Sequence, residues 1–580
     1  MSSVLINAAT NSMTMNTLKL HISRAGTALT FVLGYVAANA QSLPNSGDAL
    51  RQTQPLTVPA KSTSALPPVG GDTFESPMTN VPSGPKVEIK SIEFVGNRAI
   101  DGATLLNQVS NALGKSWSLA ELEGLAQRVT KFYRTNGYFV ARAYIPAQEV
   151  TAGSLRIRVV EGNYGEFRLK NQSLVRDDIV QGMLDDVKGA DIVSLDTLER
   201  AMLIINDTPG VQVTRADVMP GTRVGTSDFA VDTQATAAYN GYVMLDNYGS
   251  VYTGNNRLSF NADANSITGR GDKLSLSGMT TDSGGLLNGR LSYGKPLAPN
   301  GLRGEVALAQ TDYKLGDSYK NLDAKGTAQS FDATVTYPVR RIRAQTVEVS
   351  GNVAYKDLLD KVDSTNTRTP KTSSALTVGV LVRDESRLLG LDGMTRFAFN
   401  VTAGELKIND AAALAQDVAG ANTNGGFSKA NLGLSRVSLL PGAFSLTTSL
   451  SVQQVLGGKN LDGSERMAVS GSGAVMAYPS GELIGSNATL VHLELARPLP
   501  AMGKLQSNWL LFANWGQAEA AHSIAQTDRL RSIGDVGIGW TASYSGAIIR
   551  THLAHRLDTT ESTSEPYPQD KFLVQVGWVF

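Results

Sequence analysis

The sequence predicts a transmembrane antiparallel β-barrel of roughly sixteen strands, preceded by two small α+β domains and a short N-terminal helix. Three observations lead there. The chain opens on a secretory leader, it holds no run of about twenty apolar residues that could cross a bilayer as a helix, and it closes on a strand whose bulky apolar residues recur at every second position.

The leader is expected over residues 1–40. Lys19, His21 and Arg24 precede a mostly apolar run from Ala25 to Ala37, and Ala38-Asn39-Ala40 puts small residues where a signal peptidase cuts. The mature chain would begin at Gln41; the long stretch before Lys19 leaves Met13 or Met15 as alternative starts. At the far end, period two places Phe572, Val574, Val576, Trp578 and Phe580 on one strand face. A lipid-facing barrel strand with interfacial aromatics has this pattern, and such a terminal strand is the expected assembly signal.

Composition narrows the classes. With no cysteine, disulfides, thiolate metal sites and cysteine nucleophiles are excluded. Lys+Arg 52 against Asp+Glu 52 leaves no net charge, so nucleic acid is not an expected partner. The 57 glycines and 42% hydrophobic residues suit a wet-lumened barrel with many turns. Only five histidines occur, and His552 and His555, three apart in a predicted strand, point to opposite faces and cannot share a metal. No Gly-x-x-x-x-Gly-Lys phosphate loop is found. No catalytic residue, metal or cofactor is expected.

Residues 41–52 contain a short helix-compatible piece, and 53–86 are crowded with Pro, Ser, Thr and Gly, the composition of a linker. Over 87–162 the pattern is that of a β-α-α-β-β unit. A strand is expected at Val87–Val95, then a helix with Leu105, Leu106, Val109 and Leu113 on one face. A second helix opens with the capping box Ser118-Leu119-Ala120-Glu121 and carries Leu122, Leu125, Ala126, Val129, Phe132 and Tyr133. Asn136-Gly137 stops it, and strands follow at Tyr138–Ile145 and Leu155–Val160. The order repeats over 163–233, with Phe167 and Leu169 on a strand, Ile179 and Met183 on one helix, Leu195, Leu198, Met202 and Ile205 on the next, and strands at Val211–Val213 and Phe229–Val231. From 234 to 580 the chain alternates apolar and polar residues between turn clusters, as in Leu258–Asn265, Val347–Tyr355, Leu446–Val452 and Val491–Leu495. Arg270-Gly271-Asp272 spells an integrin-binding tripeptide but falls where two such strands need a polar turn.

The strings Gly137-Tyr138-Phe139-Val140-Ala141-Arg142-Ala143-Tyr144-Ile145-Pro146-Ala147-Gln148 and Leu155-Arg156-Ile157-Arg158-Val159-Val160-Glu161-Gly162 resemble the end of the first POTRA domain of a known family. Leu198-Glu199-Arg200 with Asn206–Val211 resembles the second POTRA domain, and Asp246–Gly249 with Gly271–Leu274 the first barrel hairpin. The sequence is thus similar to the TpsB-type transporters of two-partner secretion, the haemolysin secretion/activation group, which are relatives of the barrel-assembly insertases.

That resemblance implies an outer-membrane translocator whose periplasmic POTRA pair binds an unfolded, large secreted β-helical exoprotein of TpsA type. The barrel then passes it outward without nucleotide hydrolysis. The barrel-assembly machinery and outer-membrane lipid would be its other partners, and residues 41–52 would hold a helix that plugs the resting pore. In the POTRA string, Gly137, Tyr138, Arg142, Pro146 and Gln148 are the expected motif residues. The family's lid loop carries a Val-Arg-Gly/Ala-Tyr motif; here the matching residues are Val475, Met476, Ala477, Tyr478 and Pro479. Its docking strand, Phe-x-Asp-x-Gly, reads Phe512-Ala513-Asn514-Trp515-Gly516. The expected arginine–aspartate pair has become Met476 and Asn514, which would meet as a neutral pair. Two rival classes remain: an insertase of other barrels, whose close relatives carry more POTRA units and lack the plug, and a passive porin, which needs no periplasmic arm.

Overall fold

The computed structural model describes residues 43–53, 66–67, 69–70, 86–522, 530–558, 562–565 and 568–580. The leader, the expected mature start and most of the linker lie outside the described residues.

In the first domain the expected strand Val87–Val95 is broken at Lys90. Val87–Ile89 pairs antiparallel with Lys115–Trp117, whereas Ser91–Val95 runs parallel to Ser154–Val160. The two halves serve different sheets, and between them the Lys90 N–H donates to Gly153 O at 2.8 Å. Lys115–Trp117 was not expected, because three residues are too few to show an alternation. The helix Leu119–Thr135 forms its capping box through Ser118 and Glu121 and buries Leu122, Leu125, Ala126, Val129 and Tyr133, as read. Gly137 ends it at φ +88°, a left-handed conformation that costs glycine nothing. The strand expected at Tyr138–Ile145 shrinks to Arg142–Tyr144. Tyr138–Ala141 instead turns, the Ala141 N–H donating to Tyr138 O at 3.0 Å, which lets Phe139 and Val140 pack against the second domain's core.

The second domain has strand Asn163–Gln172, helices Asp177–Asp185 and Leu195–Asn206, and strands Gln212–Pro220 and Thr226–Gln234. Its sheet gains a fourth strand from the segment read as linker: Val69–Gly70 runs parallel to Gln212–Pro220 on the sheet's edge. Leu66, 6% exposed, enters the same core as Phe167, Leu198, Met202 and Phe229. Linker composition cannot bury apolar surface on its own, but two residues can borrow a neighbour's edge and one leucine a neighbour's core.

Sixteen antiparallel strands, from Tyr239–Asp246 to Asp570–Val579, close into the barrel. Strands run from 8 to 22 residues, against the expected ten or so. Only about 9–11 residues of a tilted strand cross lipid, and pairing in the longer hairpins continues beyond it. The alternation is as predicted: Leu258 and Phe260 are exposed while Arg257 and Ser259 are buried. On the last strand Phe572, Val576, Trp578 and Phe580 are exposed while Lys571, Leu573 and Gln575 are buried. The turns at one end of the barrel lean on the second arm domain. Arg341 forks onto Asp207 at 2.7 and 2.9 Å, Arg343 meets Glu199 at 2.7 Å, and Arg200 donates to the Pro338 and Asn300 carbonyls at 2.8 and 3.1 Å. Arg270-Gly271-Asp272 is one of these turns, with Asp272 fully buried and Gly271 pressed against Thr208.

The closing seam is short. First and last strands share five registered pairs, Tyr242↔Val579 to Asp246↔Gln575, where strands in the middle of the barrel share as many as eighteen. Two bonds between Gly241 and Phe580, at 3.0 and 3.1 Å, extend it. Unpaired backbone groups in lipid cost several kcal/mol each, so these terminal pairs matter out of proportion to their number. Phe580→Ser is expected to lower the amount of heat-modifiable barrel recovered in outer membranes; equal recovery from mutant and parent would show that the terminal aromatic is dispensable for assembly and closure.

Candidate functional site

The lumen is occupied by two pieces of the chain. Residues 456–486, which join the strands Phe444–Val455 and Asn487–Pro498, fold inward as a lid loop rather than outward. A two-residue ladder, Met467–Ala468 with Ile484–Gly485, forms its stem. Val469, Val475, Tyr478 and Leu483 pack with Ala518 and Ile533 of the wall. Gly516, on the lumen face of Gln506–Glu519, makes room: a Cβ there would lie 2.9 Å from Val469 Cβ. The docking-strand residues Phe512, Asn514 and Gly516 all face inward, as period two requires.

At the loop tip Met476 and Asn514 have different partners. Met476, 8% exposed, sits in an apolar cluster with Phe512, Ala554 and Leu573. Asn514 donates to Asp535 Oδ1 at 2.8 Å and lies 2.6 Å from His492 Nδ1. Asp535, the register partner of Asn514 on the next strand, takes the loop's Ala477 N–H on its other oxygen at 2.7 Å. An acidic group therefore does hold the tip, from one strand over, and it grips backbone amide rather than a guanidinium. Tyr478 is fully buried under the Arg556 guanidinium, 5.5 Å from the ring centroid, and its carbonyl accepts from Lys571 at 3.3 Å. Past Pro479, the buried Glu482 accepts from Ser562, Thr563 and Ser564 and meets Arg531 at 2.7 Å. Burial alone would raise its pKa; the Ser564 and Thr563 hydrogen bonds and the Arg531 charge outweigh it and hold the carboxyl down at about 2.

A second set of anchors was not foreseen. Asp462 and Glu465 of the loop reach three wall lysines: Lys371 at 2.9 Å from Asp462, and Lys356 and Lys429 at 2.6 and 2.9 Å from Glu465. The string Asp462-Gly463-Ser464-Glu465-Arg466, three charged residues within five in a loop rich in small residues, was the available signal. Beside it lies the helix Ser46–Gln52, within the barrel near the strands Arg303–Lys314, Ala324–Arg341 and Gln345–Val362. Asn45 and Asp48 form its capping box. Ser46 N–H donates to Asp360 at 2.7 Å, Gln52 meets Thr253 and Arg257 at 3.2 Å each, and Arg51 grips Gly463 O.

In the arm, the POTRA string turns out to join domains. Gly137 O accepts the Leu195 N–H of the second domain at 2.8 Å. Tyr138 packs edge-on to Tyr133, whose hydroxyl donates to the buried Glu161 at 2.8 Å. Glu161 also accepts the Arg98 and Ala99 amides at 2.7 Å; burial, with this carboxylate beside it, keeps the Tyr133 phenol protonated far above its ordinary range. Gln148 pairs both ways with the backbone of Arg156, at 2.7 and 2.9 Å, standing in for the strand that ended at Tyr144. Arg142 is exposed on that strand and Pro146 half-buried after it. No group of three or more metal-ligating side chains occurs among the described residues.

The family model "Haemolysin secretion/activation protein ShlB/FhaC/HecB" matches residues 225–542, and "POTRA domain, ShlB-type" matches 87–162. The chain belongs to this family. It is an outer-membrane β-barrel transporter of the two-partner secretion type, a class that exports a partner protein. Among relatives, the heme/hemopexin transporter protein HuxB of Haemophilus influenzae is 27% identical over 509 residues, 85% of this chain and 88% of its own. The outer membrane transporter CdiB of Dickeya dadantii is 24% identical over 204 residues, 34% of this chain and 35% of its own. The solved structure of CdiB from Escherichia coli superposes with a TM-score of 0.71 at 18% identity, covering 92% of this chain and 95% of that one, and shares the fold.

Because Asn514 lies against Asp535, Asn514→Asp is expected to set two carboxylates face to face beside the lid tip and lower thermal stability. Adding Met476→Arg supplies a cation to the same cluster and should recover much of the loss. A favourable coupling of about 0.5–3 kcal/mol is the range for touching groups; strictly additive effects in the double-mutant cycle would show that the two positions do not share the tip's anchoring.

Proposed function

We propose that the two POTRA domains capture an extended, secreted β-helical partner by strand addition, and that the partner leaves through the lumen once the plug helix and lid loop have moved aside. The observation that carries this reading is the edge of the second domain's sheet. Strand Gln212–Pro220 is already augmented by the chain's own Val69–Gly70, with Leu66 in the core beneath. Main-chain pairing grips an unfolded polypeptide without demanding much of its sequence. A passenger adding to this edge must compete with a segment only twelve residues (54–65) beyond the described end of the plug region at Thr53. Binding in the periplasm and unplugging of the pore would then be linked through one stretch of chain.

The passenger supplies the drive in this scheme, as the chain offers no nucleotide loop. A passenger concerned with haem acquisition is favoured over toxin or adhesin by the extent of the likeness to the heme/hemopexin transporter, which spans most of both chains. The C-terminal strand would serve as the signal read by the barrel-assembly machinery, and the exposed apolar band would lie in outer-membrane lipid.

Deleting Val87–Thr233 is expected to abolish secretion while leaving a folded, ion-conducting barrel; normal export by the isolated barrel would end the capture reading. Deleting Asn45–Gln52 is expected to raise single-channel conductance in planar bilayers, and an unchanged conductance would show that this helix does not obstruct the pore.

A further inference from the structure

Plug and lid are fastened to the wall through a shared side chain. Lys371, on the strand Thr367–Leu388, is 7% exposed and lies 3.3 Å from Asp360 and 2.9 Å from Asp462. Asp360, on the neighbouring strand, accepts the Ser46 N–H of the plug's first turn at 2.7 Å and the Tyr313 hydroxyl at 2.9 Å. That amide is among the donors a helix start cannot satisfy internally. Asp462 shapes the lid turn: its Oδ1 accepts the Ser464 N–H and its carbonyl the Glu465 N–H, each at 2.9 Å. The same turn presents Gly463 O to Arg51 and the Ser464 backbone to Gly47 of the plug.

One ammonium thus holds two carboxylates, of which one grips the plug and the other builds the turn the plug rests on. Without the cation these carboxylates would face each other, desolvated and repelling, a situation that strongly destabilises buried ion clusters. The direct plug–lid contact is less well provided. Ser46 Oγ, Arg51 Nε and Ser464 Oγ are buried there and make no hydrogen bond to a described residue. We propose that Lys371 is a positioning residue for export that couples plug and lid, so that neither leaves the wall without loosening the other. The proposal rests on the reading of Ser46–Gln52 as the pore's plug and goes beyond it by naming what the plug moves with.

The chain has no cysteine, so Ala474→Cys, buried in the lid loop at 8% exposure, reports lid release by its rate of labelling with a membrane-impermeant maleimide. Single-channel conductance reports the plug. In the full chain, Lys371→Gln should raise both signals severalfold, and Lys371→Arg should return both to the parental level. Deleting Asn45–Gln52 should speed labelling although it removes no residue of the loop. Asp462→Asn, which leaves Lys371 its Asp360 partner, should raise both signals as well and serves if Lys371→Gln does not assemble. Either signal rising alone in these variants overturns the coupling. A deletion that leaves conductance unchanged overturns the plug reading, and the proposal with it.

Discussion

A sheet of sixteen strands closes around a lumen too wide for its own side chains to fill, where eight strands would enclose a packed interior. Everything inside this barrel answers that constraint. The wall's inward residues are polar where they face water and partly apolar where inserted chain packs on them, its outward ones apolar because they face lipid, and the chain folds two of its own segments back into the space. A helix of seven residues and a loop of about thirty do so, the loop packing apolar residues against the wall in two clusters. Charged groups add ion pairs and hydrogen bonds to the wall, and such contacts can be exchanged for water as the segments move.

The lid tip is held to the wall by a carboxylate and by apolar packing together. The carboxylate is Asp535, which receives the amide of Ala477. Asn514 is the bracket between that carboxylate and His492. Beside it Met476 packs in an apolar cluster with Phe512, Ala554 and Leu573. On the other limb of the loop, Asp462 and Glu465 face three wall lysines.

The fold was legible wherever one residue spacing decides the outcome. Period two is imposed on each barrel strand by lipid on one side and water on the other, so Leu258–Asn265 or Phe572–Phe580 announce themselves within ten residues. The helices of the arm domains did the same through their apolar faces and, for Leu119–Thr135, through the capping box of Ser118 and Glu121. The break at Lys90 and the shortened Arg142–Tyr144 were hidden, because they depend on which sheet or domain a residue later meets. The anchors were hidden for the same reason on a larger scale: Ala477 and Asp535 are 58 residues apart, and Lys371 and Asp462 are 91 apart. No local pattern links such pairs. The inward parity of Phe512, Asn514 and Gly516 could be read; which of their neighbours would carry the charge could not.

If the lid must leave the wall for a passenger to pass, fixing it there should stop export without harming the barrel. Val469 and Gly516 offer the place, since a Cβ at 516 would lie 2.9 Å from that of Val469, within a small shift of the about 3.5–4.5 Å a disulfide needs. The most direct test is partner secretion by the Val469→Cys/Gly516→Cys chain with the bond formed, verified by thiol counting, and again after reduction. The account predicts export blocked when oxidised and restored when reduced; export at the parental rate with the tether intact would contradict it.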